Sequence, residues 1–169
     1  MTRIAQFAAL LFAGLFAGFL TGVLVLELSL RSFDGAVYTQ VRLVELDSLD
    51  RLAAATLLPA IAATALLAFK RTGRARRLAA TALALLVLVF ALTFAINLPI
   101  NSDQLDWSVR TPPADWADVR DRWQISHAVR TAAAVLAFGL LSVAAMLPSP
   151  NRATPPNSSP AIQEMSERP

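Results

Sequence analysis

The sequence predicts an all-α integral membrane protein: a four-helix bundle with both termini in the cytoplasm and a partly helical extracytoplasmic loop between helices three and four. Three observations carry this expectation. Apolar residues make up 56% of the 169 residues and are gathered into four long blocks, at a mean hydropathy of +0.53, which is the composition of a membrane chain. One short connection, Lys70-Arg71-Thr72-Gly73-Arg74-Ala75-Arg76-Arg77, holds five positive charges in eight residues and no acid. The segment from Asn97 to Arg130 is polar between two apolar blocks, and all three tryptophans and the single histidine fall inside it.

The first span is placed at 4–30. Its apolar run, Phe7 to Leu26, is about 20 residues, the length that crosses a bilayer core. A cleaved signal would have a shorter apolar region with a small-residue cleavage site behind it, so a retained helix is expected and a cleaved signal is the alternative. Gly14, Gly18 and Gly22 are four apart on one face. Small residues at that spacing let another helix approach closely, either one from the same bundle or one from a second copy in a homo-oligomer. Glu27 lies near the far end. A carboxylate in hydrocarbon costs about 2.5–3.5 kcal/mol on insertion scales, so it either faces the bundle or reaches the interface.

Residues 31–51 read as the first polar connection. Tyr38, Arg42 and Glu45 fall at i, i+4 and i+7 of a helix-compatible run. They form a solvated stripe on a membrane-helix extension, or Tyr38 and Glu45 close one wall of a pocket. The second span, 52–69, contains Pro59, which neighbours tolerate as a kink rather than an end. The basic connection after it stays in the cytoplasm by the positive-inside rule. With Arg3 on the same side, both termini are inside and the acid-rich loops are outside. That position explains the pI of 10.5 through topology, and no nucleic-acid partner is expected.

The third span is placed at 78–98 and the fourth at 128–147. The fourth continues a helix that starts near residue 115, after the extended lead-in of Pro112-Pro113. Residues 1–147 form one transmembrane domain. The tail, 148–169, is rich in proline, serine and asparagine and reads as disordered. The chain has no cysteine, which excludes disulfides, thiolate nucleophiles and cysteine-ligated metals. A single histidine argues against a metal site.

On a helix from Asp115, the residues Trp116, Arg120, Trp123, His127 and Arg130 follow spacings of 4, 3, 4 and 3 and form one stripe. Two indoles can flank a planar aromatic ligand, an arginine can stabilise an anion, and a histidine can take a proton near neutral pH. The competing reading is interfacial anchoring by the tryptophans and snorkelling by the arginines, which suits Trp107 best. Pro99 removes a backbone donor and is expected to end or kink the third helix at Leu98. Asn97 and Asn101 flank that break, to bind a ligand carbonyl or to cap freed backbone groups.

An Asn-x-Pro-x-Asn at the end of the third helix, a tryptophan-containing loop, and Trp-x3-Arg-x2-Trp-x3-His-x2-Arg leading into the fourth resemble the anthrone oxygenase-like family of small four-helix membrane proteins. The motif lies in 97–130 and the four-span layout in about 4–147. The resemblance implies oxidation of an anthrone to an anthraquinone by molecular oxygen, without metal or flavin. Deprotonating the activated ring carbon gives a carbanion that reduces oxygen directly, so the protein supplies a base and anion stabilisation. On the matching positions, His127 is the base candidate. Asn97, Asn101, Arg120 and Arg130 hold the oxyanion, and Trp116 and Trp123 sandwich the rings. Tyr38 is added as a pocket wall from outside the motif. The alternative is a non-catalytic membrane protein that binds a lipid or a protein partner through the same pocket.

Overall fold

The computed structural model describes residues 2–147, so the predicted disordered tail at 148–169 lies outside the described residues. The described residues contain helices and no strand: α1 (Thr2–Ser29), α2 (Gly35–Lys70), α3 (Gly73–Leu92), α4 (Leu98–Leu105) and α5 (Trp116–Met146). A 3-10 turn, Leu30–Ser32, follows α1, and a π-helical turn, Thr93–Asn97, joins α3 to α4. Four continuous helical stretches, Arg3–Ser32, Gly35–Lys70, Gly73–Leu105 and Trp116–Met146, are long and apolar enough to cross a bilayer. The protein is an integral membrane four-helix bundle. Each of α1, α2, α3 and α5 packs against two neighbours, closing the ring α1–α2–α3–α5.

The segment read as a connection over 31–51 is helical from Gly35 onward. Asp34 caps α2, its carboxylate accepting from the Val37 amide at 3.0 Å, which satisfies one of the free donors at a helix start. At 36 residues, α2 is about 54 Å long. That exceeds a hydrocarbon core of about 30 Å, so a large part of it stands clear of the core. Its stripe is not solvated: Tyr38, Arg42 and Glu45 are all buried. Pro59 lies inside α2, and the helix continues through it.

Only Arg71 and Thr72 separate α2 from α3. Gly73 makes that turn at φ +59°, a conformation that costs a residue with a Cβ but not glycine. Pro99 does not end the third span. Without an N–H it cannot bond back along the helix, and its ring crowds the carbonyl four residues earlier. The preceding turn widens, with the Leu98 amide bonding the Thr93 carbonyl, and the chain runs on as α4.

The core is built from small residues. Ala5, Ala9, Ala13 and Ala17 recur every fourth residue on α1 and are buried in one cluster with Ala60 of α2, Ala79 and Ala82 of α3, and Ala133, Ala134 and Ala137 of α5. In hydrocarbon, close van der Waals packing replaces the missing hydrophobic drive between helices. The stripe that enters the bundle is this alanine row. Of the glycines beside it, a Cβ on Gly14 would lie 3.1 Å from Phe138 of α5, while one on Gly18 or Gly22 would meet nothing within 4 Å.

Candidate functional site

In the half of the bundle away from the α2–α3 turn, the side chains facing inward become large and polar. α1 brings Glu27, α2 brings Arg42 and Glu45, α4 brings Asn101 and Gln104, and α5 brings Trp123, Gln124, His127 and Arg130; all nine are buried. Arg42 is the hub. Its Nη1 donates to Glu27 Oε1 at 3.2 Å and to Glu45 Oε2. Its Nη2 donates to Asn101 Oδ1 at 3.0 Å and Gln104 Oε1 at 2.9 Å, and its Nε to Gln104 Oε1 at 3.1 Å. Gln124 Nε2 holds the second Glu27 oxygen at 2.9 Å and the Glu27 carbonyl at 2.7 Å. A buried ion pair persists only when its remaining hydrogen-bonding capacity is met. Here four helices share that task, so the network also fixes their relative positions.

Asn101 ties the network to the aromatic wall. Its Oδ1 accepts from Trp123 Nε1 at 2.7 Å as well as from Arg42, and its Nδ2 donates to Asp50 at 3.4 Å. His127 stacks on Trp123 with ring centroids 4.7 Å apart and planes at 10°. The Arg42 guanidinium lies 4.2 Å from the Trp123 ring centroid, a cation–π contact.

A cavity of about 180 Å³ lies against these groups. Phe16, Phe19, Leu20, Leu57 and Phe90 supply apolar walls, while Arg42, Glu45, Asp50, Asn101, Trp123, His127 and Arg130 supply the polar side. Its exposed lining residues are Asp50, Ala54 and Leu58 on α2 and Phe90 and Leu98 on the third span. The cavity therefore opens sideways between these two helices, through a mouth that is mostly apolar.

Four of the sequence-predicted site residues line this cavity, namely Asn101, Trp123, His127 and Arg130, and four do not. Asn97 is buried beside it. Its Oδ1 accepts from Ser126 Oγ at 2.7 Å and its Nδ2 donates to the Trp123 carbonyl at 3.4 Å, strapping the π turn to α5. Arg120 lies 4.9 Å from the Trp116 ring centroid and pairs with Asp121 at 3.0 Å, which Arg31 also contacts. Trp116 covers the start of α2. A Cβ on Gly35 would come within 2.9 Å of its indole, and its ring centroid is 5.6 Å from that of Tyr38. Tyr38 is fully buried between Trp116 and Trp107. Trp116 and Trp123 therefore do not form two walls of one slot, and Trp116, Tyr38 and Trp107 make an aromatic cap beyond the Arg42 network.

His127 meets the cavity with both nitrogens engaged. Its Nε2 lies 3.0 Å from the Leu20 carbonyl, which only accepts, so Nε2 carries the proton. Its Nδ1 lies 2.7 Å from Arg130 Nη2, which only donates, so Nδ1 is the acceptor. The ring is a neutral link between Leu20 and Arg130, and the lone pair a base would use is already occupied. Arg130 Nη1 in turn donates to Thr93 Oγ1 at 2.8 Å, anchoring it to the π turn.

The residues the sequence left without a role are Arg42, Gln104, Gln124 and Asp50. Arg42 was visible on one face with Tyr38 and Glu45. Nothing in the one-dimensional pattern pointed to the glutamines, whose partners lie 62 and 97 positions away. Among the described residues, no group of three or more His, Asp or Glu side chains converges as a metal site would require.

Bundle and cavity together define a polytopic membrane protein with an apolar, laterally open pocket closed at one side by a buried charge network. The chain belongs to the anthrone oxygenase family, whose model matches residues 48–140, more than half of its length. No curated protein and no solved structure matches it. The matched range contains Asp50, Asn101, Trp123, His127 and Arg130, whereas Glu27, Arg42 and Glu45 precede it.

Proposed function

We propose that the cavity binds a planar, lipophilic aromatic molecule of the anthrone or hydroquinone class and oxidises it with molecular oxygen. The observation that carries this reading is the cavity itself: apolar walls ending on a buried guanidinium pair, Arg42 and Arg130, in a chain of the anthrone oxygenase family. The family name suggests the substrate class, and the lateral, apolar mouth suits a molecule dissolved in the bilayer. An apolar cavity of about 150 Å³ accepts a benzene ring. At 180 Å³, this one takes one ring fully, with the rest of a fused system lying in the mouth between α2 and the third span.

The chemistry suits these groups. Removing a proton from a ring methylene conjugated to a carbonyl leaves the electron pair spread onto the carbonyl oxygen. Fixed donors in a water-poor site stabilise such an oxyanion strongly, and Arg130, with Asn101 and Arg42 behind it, supplies them. The anion then transfers electrons to oxygen. One oxygen atom ends as the new ring carbonyl and the other as water, so each methylene consumes one O2. On this reading His127 fixes the position of Arg130, and Asn97 holds the π turn in register. Trp116, Arg120 and Tyr38 close the outer end.

The basic α2–α3 turn, Lys70–Arg77, argues for cytoplasmic termini through the positive-inside rule. That orientation puts the cavity in the outer half of the membrane. A non-catalytic lipid binder would use the same lateral mouth. Oxygen uptake by the purified protein, on a panel of anthrones and hydroquinones, separates the two. Uptake that falls by roughly 10²–10³-fold in Arg130→Gln, the scale of losing one oxyanion donor, supports oxidation. Quenching of tryptophan fluorescence by the same compounds without any uptake supports the binder.

A further inference from the structure

Two buried polar atoms on the cavity-lining residues have no partner within the protein, and they are of opposite type. Glu45 Oε2 is held by Arg42, but Glu45 Oε1 accepts from nothing. Arg130 gives Nη1 to Thr93 and Nη2 to His127, but its Nε donates to nothing. The other unpartnered buried atoms belong to Tyr38, Thr39, Thr64, Gln104 and Gln124, none of which lines the cavity. A buried group left unpaired has given up its water without a replacement, and a charged one loses more than a neutral one. Both atoms are sealed off at present, but the side chains that carry them line one cavity, and a side-chain rotation that presents this acceptor and this donor would let a ligand offering a proton and an oxygen complete both.

We propose that Glu45 is the catalytic base and that Arg130 Nε–H is the donor for the substrate oxygen. This rests on the reading of the cavity as an oxidation site. The alternatives are weaker on geometry. Both His127 nitrogens are engaged, by Leu20 and Arg130. Asp50 is exposed at the mouth and already accepts from Asn101. Charge favours Glu45 as well. Arg42 brings one positive charge to two carboxylates, Glu27 and Glu45, so the ionised trio is one positive charge short, and a proton taken up on Glu45 neutralises it. Glu45 also lies outside the range shared with the family, so the assignment comes from the fold of this chain.

In this scheme Glu45 Oε1 takes a proton from the ring methylene as the C–H bond breaks. The electron pair passes through the ring to the carbonyl oxygen at Arg130. Oxygen accepts the electrons and bonds to the ring carbon, and Glu45 returns the proton to give a hydroperoxide. Glu45 then removes the second methylene proton. The new C=O forms, the O–O bond breaks, and the departing hydroxide takes that proton as water.

The first step can be read without oxygen. Anaerobic hydrogen–deuterium exchange at the ring methylene of an anthrone in D2O, followed with the full chain in vesicles, reports deprotonation alone. Glu45→Gln keeps the volume and an oxygen for Arg42. The expected result is loss of protein-catalysed exchange and of oxygen uptake by roughly 10²–10⁴-fold, the range of general-base catalysis, with quinone binding retained. Glu45→Asp, which keeps the charge but shortens the reach, is the second variant and should lose exchange while still binding the quinone. Exchange that persists in both variants overturns the assignment and leaves the oxidation reading standing. Exchange that vanishes only in Asp50→Asn moves the base to Asp50 and overturns it too. If the wild type binds the anthrone but neither exchanges it nor takes up oxygen, the oxidation reading falls and this inference with it.

Discussion

On α1, Ala5, Ala9, Ala13 and Ala17 share one core with Ala133, Ala134 and Ala137 of α5, whereas further along the same two helices Leu20 and Glu27 meet His127 and Gln124 through hydrogen bonds. The first region holds helices together by letting backbones come close. The second joins them through long polar side chains that bond the Leu20 and Glu27 carbonyls and the Glu27 carboxylate, and the cavity lies against these groups. One helix pair thus changes from close packing to hydrogen bonding along its length. The sequence marks the change by replacing alanine with Gln, His and Arg on one face of α5.

Arg42→Met breaks this contrast most severely, because it strands Glu27 and Glu45 without their common partner. A loss of about 3–5 kcal/mol is expected, read as a fall in unfolding temperature in detergent. Adding Glu27→Gln and Glu45→Gln to that variant should recover much of the stability, since a neutral triad no longer buries charge. Ala134→Leu tests the other region. Ala134 is completely buried, and overpacking there should cost about 1–3 kcal/mol, measured by the same melt. Ser126→Ala is the mildest. It removes one hydrogen bond to Asn97 Oδ1, worth about 0.5–1.5 kcal/mol, and a larger drop would mean that the strap to the π turn carries more of the bundle than its geometry shows.

The membrane class, the four-span bundle and the helix from residue 116 were legible because apolar length and the absence of Pro and Gly are local properties. The stripe on α5 was legible as a face, but its depth was not. Trp116 and Trp123 are seven residues apart, hence about 10 Å along the axis, too far to clasp one ring. The spacing itself held that information. The same is true of His127 and Arg130, whose i, i+3 relation places a guanidinium beside the imidazole and argues against a free base. The distant partners of Arg42, namely Glu27, Asn101 and Gln104, were hidden for a different reason. Their contacts join segments 15 to 62 positions apart, and periodicity reveals which way a residue faces, not whom it meets. Pro99 was read as an end or a kink at Leu98, and which of the two could not be read because the widened turn that absorbs it has no sequence signature of its own.

That widened turn, Thr93–Asn97, acts as a phase shifter. Each α-helical residue turns the chain by about 100°, so the extra residue in the π turn decides which way Asn101 and Gln104 point. A single-codon deletion of Ala95 or Ile96, two exposed residues that do not line the cavity, would leave four intact spans and swing both amides off Arg42. The identity of the site is therefore encoded partly in a length, and this chain can lose the site without losing a single polar residue.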